Sequence, residues 1–156
     1  MAVIKSPLPQ DIRKAAGEAL QGTVIDLIDL SLVGKQVHWT LVGPRFRSIH
    51  LQLDDVVATA RRYQDTAAER AVAIGLLPDG RAGTVQERCA LPQPPVEWIE
   101  VDDAVRYFVD VLEKVVTRMR DRINDTEDEH VTQDLLIEIS AELEKHYWMW
   151  QAENAK

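Results

Sequence analysis

The 156-residue sequence predicts an all-α fold, a four-helix bundle made of two helical hairpins joined by one long crossover. Three observations predict it. Apolar residues recur at steps of three and four through four long segments. Most of the seven Gly and seven Pro fall in a few clusters. No segment shows strand alternation, and no tandem repeat is present.

The first helix is expected from about Asp11 to Leu41, with Asp11 as its N-cap after Pro7 and Pro9. Residues 1–10 form a flexible N-terminal arm in this reading. Leu20, Val24, Ile25, Leu27, Ile28, Leu30, Leu32 and Val33 are too many for one stripe. A helix apolar on several faces is buried on several sides, which points to a subunit interface. The second helix spans about Arg45 to Ile74, with a stripe of Phe46, Ile49, Leu53, Val56, Ala60, Tyr63, Ala67, Ala71 and Ile74.

Leu76 to Trp98 is rich in Pro and Gly and reads as the crossover, with a short helix near Thr84–Arg88. The third helix, about Val101 to Asn124, carries Val105, Phe108, Leu112, Val115, Met119 and Ile123. The fourth, about His130 to Glu153, carries Leu135, Ile139, Leu143, Tyr147 and Trp150. The length and the 46% apolar content suit a single domain over residues 1–156.

Composition narrows the function. The net charge of −8 and pI near 5.0 attract cations and repel nucleic acid at long range. Lys5, Arg13, Lys14 and Lys156 offer only thin basic patches, so DNA binding is expected to be weak. No apolar run reaches the ~18 residues of a membrane span. The start lacks the apolar core of a signal peptide, and one cysteine, Cys89, suits a reducing cytoplasm.

The stretch "HWTLVGPRFRSIHLQLDD" holds the chemistry. His38 lies six residues before Pro44 and His50 six after it, so an antiparallel hairpin sets the two imidazoles at one height. Asp54 follows His50 at i+4 on the same face. This mixed N/O set suits Fe(II), Mn(II) or Zn(II). Further along, Asp65 and Glu69 are again i, i+4. At ~100° per residue, His50, Asp54, Asp65 and Glu69 share one face, away from the core stripe.

Asp54 and Asp65 are eleven residues apart, or ~16 Å along a helix. That is too far for one ion within one chain. Two antiparallel copies across a dyad would bring the clusters together, with the centre near the small residues Thr59 and Ala60. The residues alone leave two readings open: solvated carboxylates beside hydrogen-bonding histidines, or a metal site. Glu127-x-x-His130 falls in a turn, and Glu142 with His146 reads as a surface pair.

"KQVHW" (Lys35–Trp39), H-x3-D (His50, Asp54) and D-x3-E-R (Asp65, Glu69, Arg70) resemble the signature of the Dps family, the DNA-protecting mini-ferritins. The resemblance covers the whole chain length and the helix order. It implies a ferritin-like fold and iron-binding ferroxidase centres at dimer interfaces. His38, His50 and Asp54 would come from one subunit, Asp65 and Glu69 from its neighbour. It also implies a hollow homo-dodecamer in the bacterial cytoplasm or nucleoid that stores ferric mineral. Fe(II) would be oxidised to Fe(III), preferentially by hydrogen peroxide, with no organic cofactor.

Trp39 would wall the site or quench radicals, and Lys35 would balance the carboxylates. Asp125, Asp128, Glu129 and Asp134 would line pores for cations, and Asp55 would nucleate mineral. Leu51 stands where the family is often acidic. Three rival functions remain at this point: a DNA-compacting nucleoid protein, a metal-dependent hydrolase, and a plain helical-bundle interaction module that would take up no stoichiometric iron.

Overall fold

The computed structural model describes residues 3–155. Helix α1 spans Gln10–Thr40, strand β1 Leu41–Val42 and helix α2 Phe46–Ala73. Helix α3 spans Ala82–Arg88, strand β2 Ile99–Glu100, helix α4 Val101–Asp125 and helix α5 His130–Asn154. The four long helices form the expected bundle: α1 packs on α2 and α4 on α5, and the crossover carries the short helix α3.

The start of α1 differs from expectation. Pro9, not Asp11, is the capping residue, and the Arg13 N–H donates to its carbonyl. Proline's fixed φ suits this position, and its missing N–H costs nothing at a helix start. Asp11 sits within the first turn, where its charge complements the helix dipole. Residues 1, 2 and 156 lie outside the described part of the chain. Of the rest of the expected arm, Leu8 packs on the core and the Ile4 carbonyl approaches Gly75, while Val3, Lys5 and Pro7 are exposed.

The breadth of apolar surface on α1 is satisfied mostly inside the subunit. One side meets α2 and α4, and the crossover covers another, with Gly80 against Ile28 and Val24. Of the apolar set only Leu32 stands exposed. The crossover is held by polar ties. Gln21 exchanges two hydrogen bonds with the Asp79 backbone, Gln93 donates to Asp29, and the Tyr107 hydroxyl donates to the Pro92 carbonyl.

A two-residue parallel pairing, Leu41 with Ile99 and Val42 with Glu100, pins the α1–α2 turn to the end of the crossover. Two residues are too few to leave a period in the sequence. In that turn Gly43 has φ of 109°, and a Cβ there would meet the Glu100 carboxylate at 2.6 Å. Arg45, expected inside the second helix, instead caps it in the left-handed conformation. That conformation costs a non-glycine residue about 1 kcal/mol. Ion pairs to Asp102 and Glu153 hold Arg45 there.

The core runs through all four long helices, with Leu20, Leu27, Leu53, Phe108, Leu112 and Trp150 fully buried. On α5 the central stripe is Leu136, Ile139, Leu143, His146 and Trp150, while Leu135 and Tyr147 flank it half-buried. Between α1 and α4 one carboxylate oxygen of buried Asp26 accepts from both Arg118 and Arg122. Among the described residues no helix is long and apolar enough to cross a membrane.

Candidate metal centre

His38 lies in the last turn of α1 and His50 near the start of α2. The hairpin brings their rings into a stack, with centroids 3.6 Å apart and planes 22° from parallel. Each ring Nδ1 lies 3.1 Å from the other residue's backbone carbonyl. A carbonyl only accepts, so both Nδ1 atoms must carry the proton. The bond to the His38 carbonyl also satisfies one of the carbonyls left over at the end of α1. This reciprocal pair fixes both tautomers and leaves each Nε2 as a lone-pair donor, the form a metal requires.

Asp54 completes the group. One ligand atom from each of His38, His50 and Asp54 lies within 4.8 Å of the others, and this is the only such cluster among the described residues. Lys35 places its ammonium 2.5 Å from Asp54 Oδ1 and 3.4 Å from His38 Nε2. A cation therefore already sits between two of the candidate ligands. The Lys35 hydrogen bond, outweighing the small effect of burial, holds the Asp54 carboxyl below its usual range. Burial pushes His38 below the ordinary imidazole value, against the pull of the His50 carbonyl and Asp54. The arrangement keeps Asp54 ionised and His38 neutral, which suits coordination of a divalent ion.

Asp65 and Glu69 are placed differently. Both are exposed on α2 and make no side-chain hydrogen bond or ion pair among the described residues. They do not join the His38 cluster, as their distance along the helix requires. Apolar side chains flank the cluster: Phe46 packs on the His50 ring, and Trp39 and Leu51, next to His38 and His50 in the chain, are exposed, Trp39 by 66%. The two small residues expected at the centre of symmetry are engaged within the subunit. Ala60 is fully buried in the core, and the Thr59 hydroxyl is bonded to His146. The exposed small residue between the two clusters is Ala58.

Among the acidic residues of the α4–α5 turn, Asp125, Asp128 and Asp134 are exposed. Glu129 is not an open carboxylate. It is buried, caps α5 by accepting from the Val131 and Thr132 backbone N–H groups, and pairs with Arg70 at 3.0 Å. Burial pushes its carboxyl up, but bonds from Thr132 and Arg70 outweigh this and hold it below the usual range. Asp11 joins this region instead, lining a recess with Asp125 and Asp128. The helix order, which sets the start of α1 beside the α4–α5 turn, is the only sequence signal that could have found it. Asp55 is exposed near the His38 cluster, next to Asp54.

His146 is buried, not part of a surface pair with Glu142. Its Nε2 lies 2.9 Å from Thr59 Oγ1, and its Nδ1 has no partner. Burial lowers its pKa despite the opposing charges of Glu142 and Asp55. The signal was present in the sequence, because His146 falls three after Leu143 and four before Trp150, on the core stripe.

Comparison with known proteins agrees with this architecture. A family described as the ferritin-like domain matches residues 17–156. The chain is 35% identical over 136 residues to a "DNA protection during starvation protein" of Mycolicibacterium smegmatis, covering 86% of this chain and 74% of that one. It is 31% identical over 144 residues to "DNA protection during starvation protein 2" of Deinococcus radiodurans; this covers 92% of the chain but only 59% of that longer protein. A solved structure of Dps from Microbacterium arborescens, in a high-iron form, superposes with a TM-score of 0.91 at 32% identity, covering 97% of this chain and 99% of that one. With this bundle, this crossover and these relatives, the chain belongs to the Dps family of ferritin-like proteins.

Proposed function

We propose that this protein oxidises Fe(II) at a site shared between two subunits and stores the ferric product inside a homo-oligomeric shell. The carrying observation is the contrast along α2. His38 at the end of α1 joins His50 and Asp54 of α2 in a prearranged set of ligands, while Asp65 and Glu69 wait further along α2 with no side-chain hydrogen bond or ion pair among the described residues. The high-iron form of the Microbacterium relative supports iron as the substrate. Two antiparallel copies of α2 supply a neighbour's Asp65 and Glu69 to each histidine pair. By symmetry each dimer then holds two sites.

The proposed reaction is balanced by two irons per peroxide. Each Fe(II) gives one electron, and hydrogen peroxide takes two electrons and two protons to become two waters. A pair of irons held close avoids the one-electron step that would release hydroxyl radical. The two Nε2 lone pairs bind Fe(II), and the carboxylates favour Fe(III) as it forms. Lys35 competes with the incoming ion for Asp54 and must swing away as iron arrives. Trp39 shields the site from bulk water. Asp125, Asp128 and Asp134 line the route by which cations enter, and Asp55 faces the growing mineral. The complete assembly is a dodecamer, and its place is the bacterial cytoplasm.

The test is anaerobic loading of the purified protein with Fe(II), followed by peroxide, with ferric absorbance and radical trapping as readouts. The expected result is fast oxidation with little trapped radical, lost in His50→Ala. Oxidation no faster than in protein-free buffer contradicts the reading. A second role, binding DNA, is suggested by the printed names of the relatives. The charge of −8 limits it to weak, salt-sensitive contact, which a gel shift at low salt would reveal.

A further inference from the structure

Helix α2 carries His50, Asp54, Asp65 and Glu69, so its rotation about its own axis decides where each carboxylate points. A carboxylate stands about 6 Å from a helix axis, and a twist of about 20° moves it by about 2 Å. Metal–ligand bonds tolerate about 0.2 Å. An exposed helix end could not meet that tolerance without support. The support in this chain comes from α5.

Four polar ties join the two helices along their length. Arg45 bonds Glu153 at 2.7 Å, Thr59 bonds His146 at 2.9 Å, and the Tyr63 hydroxyl donates to Glu138 at 2.9 Å. The fourth tie is the most constrained. Arg70 Nε donates to Thr132 Oγ1 at 3.1 Å, and its Nη2 donates to Glu129 Oε2 at 3.0 Å. The same Glu129 oxygen accepts from the Thr132 backbone N–H at 2.8 Å. The three residues therefore close a ring of hydrogen bonds. Arg70 and Glu129 side chains are only 22% and 6% exposed, which limits competition from water.

We propose that Arg70 is a positioning residue that locks the last turns of α2 against the start of α5, so that neighbouring Glu69 and Asp65 present their carboxylates at a fixed angle. The proposal rests on the shared-site reading above. Arg70 touches no iron; it leaves the helix ~100° around from Glu69 and sets that residue's direction. A planar guanidinium holds two acceptors in a rigid fork, whereas a lysine ammonium is a single point on a flexible stem and cannot fix that geometry. The ring also ties the acid-bearing end of α2 to the turn holding Asp125 and Asp128.

The experiment is anaerobic Fe(II) binding to the assembled protein, with thermal unfolding measured in parallel. Arg70→Gln should weaken binding about tenfold, the size found when a residue that orients metal ligands is removed. Arg70→Lys should fail to restore it. Thr132→Val, which removes only the Nε acceptor, should weaken binding by a smaller factor and serves if Arg70→Gln does not fold. Arg120→Ala, which breaks an exposed α4–α5 pair with Glu144, should leave binding unchanged. Wild-type affinity in a folded Arg70→Gln, with a lowered melting temperature alone, would overturn the positioning role while sparing the shared site. Absence of iron binding by the wild type would overturn both.

Discussion

The two ends of α2 differ in how completely the chain builds them. At the first end the histidines are stacked, bonded to each other's backbone and backed by a lysine–aspartate pair. At the other, Asp65 and Glu69 stand exposed, with no side-chain hydrogen bond or ion pair among the described residues. The first end is organised by folding, because a hairpin turn places its groups and every ring Nδ1–H finds an acceptor. Under the proposed function the second is organised by association: its helix is held, but its chemistry waits for a second copy. A binding site divided in this way exists only in the assembled protein, and this couples activity to oligomeric state.

That contrast can be broken most severely at the organised end. His50→Ala removes a ligand and the acceptor's partner at His38, and should lower Fe(II) affinity by about 100-fold or more. Asp65→Ala should weaken binding by at least about tenfold. Since Asp65 has no hydrogen-bond or ion-pair partner among the described residues, its loss should leave the melting temperature of that variant nearly unchanged. Calorimetric titration with Fe(II) under argon, beside thermal scans, separates the two effects. Equal destabilisation by both substitutions would remove the distinction between the two ends.

Lys35→Met sharpens the comparison. Without the competing ammonium, Fe(II) should bind several-fold more tightly at neutral pH. Asp54 would also lose the hydrogen bond that holds its carboxyl down, so its pKa should rise toward the ordinary value. As pH falls, the variant should therefore lose iron at a higher pH than the wild type. A pH series of binding isotherms reads both changes, and parallel curves would contradict the role given to Lys35.

The smallest effect concerns stability. His146 is held neutral by burial, with its pKa below the unfolded value of about 6.5. The unfolded chain therefore binds more protons in mild acid, so stability is full above the unfolded pKa and falls as pH drops below it. His146→Gln should flatten that fall, by about 1 kcal/mol per pH unit at most. Denaturant unfolding at pH 7 and pH 5 measures it. An unchanged slope would mean that protonation of His146 is not linked to unfolding.

Much of this was legible from the sequence, for physical reasons. Steps of three and four fixed the four helices because a helix must bury one face. The histidine pair could be found because both residues stand six from Pro44, and a hairpin turns equal distance into equal height. What escaped was whatever leaves no period or depends on distant segments. The pairing of Leu41–Val42 with Ile99–Glu100 is too short to show. Glu129 sits in an acidic run that reads as solvated, yet Arg70, 59 residues away, makes it a buried cap. His146 stands four residues after Glu142, a spacing that reads as a surface pair, yet its place on the core stripe buries it. The partner proposed for Asp65 and Glu69 belongs to another copy, so spacing could exclude a site within one chain but could not display one between chains.

The most direct measurement is complementation in mixed assemblies. His50→Ala and Asp65→Ala subunits are co-expressed, and ferroxidase activity is compared with each variant alone. Random pairing makes half the dimers mixed, and each mixed dimer regains one of its two sites, so the account predicts about a quarter of wild-type activity. Mixed assemblies no more active than either parent would contradict a site shared between subunits.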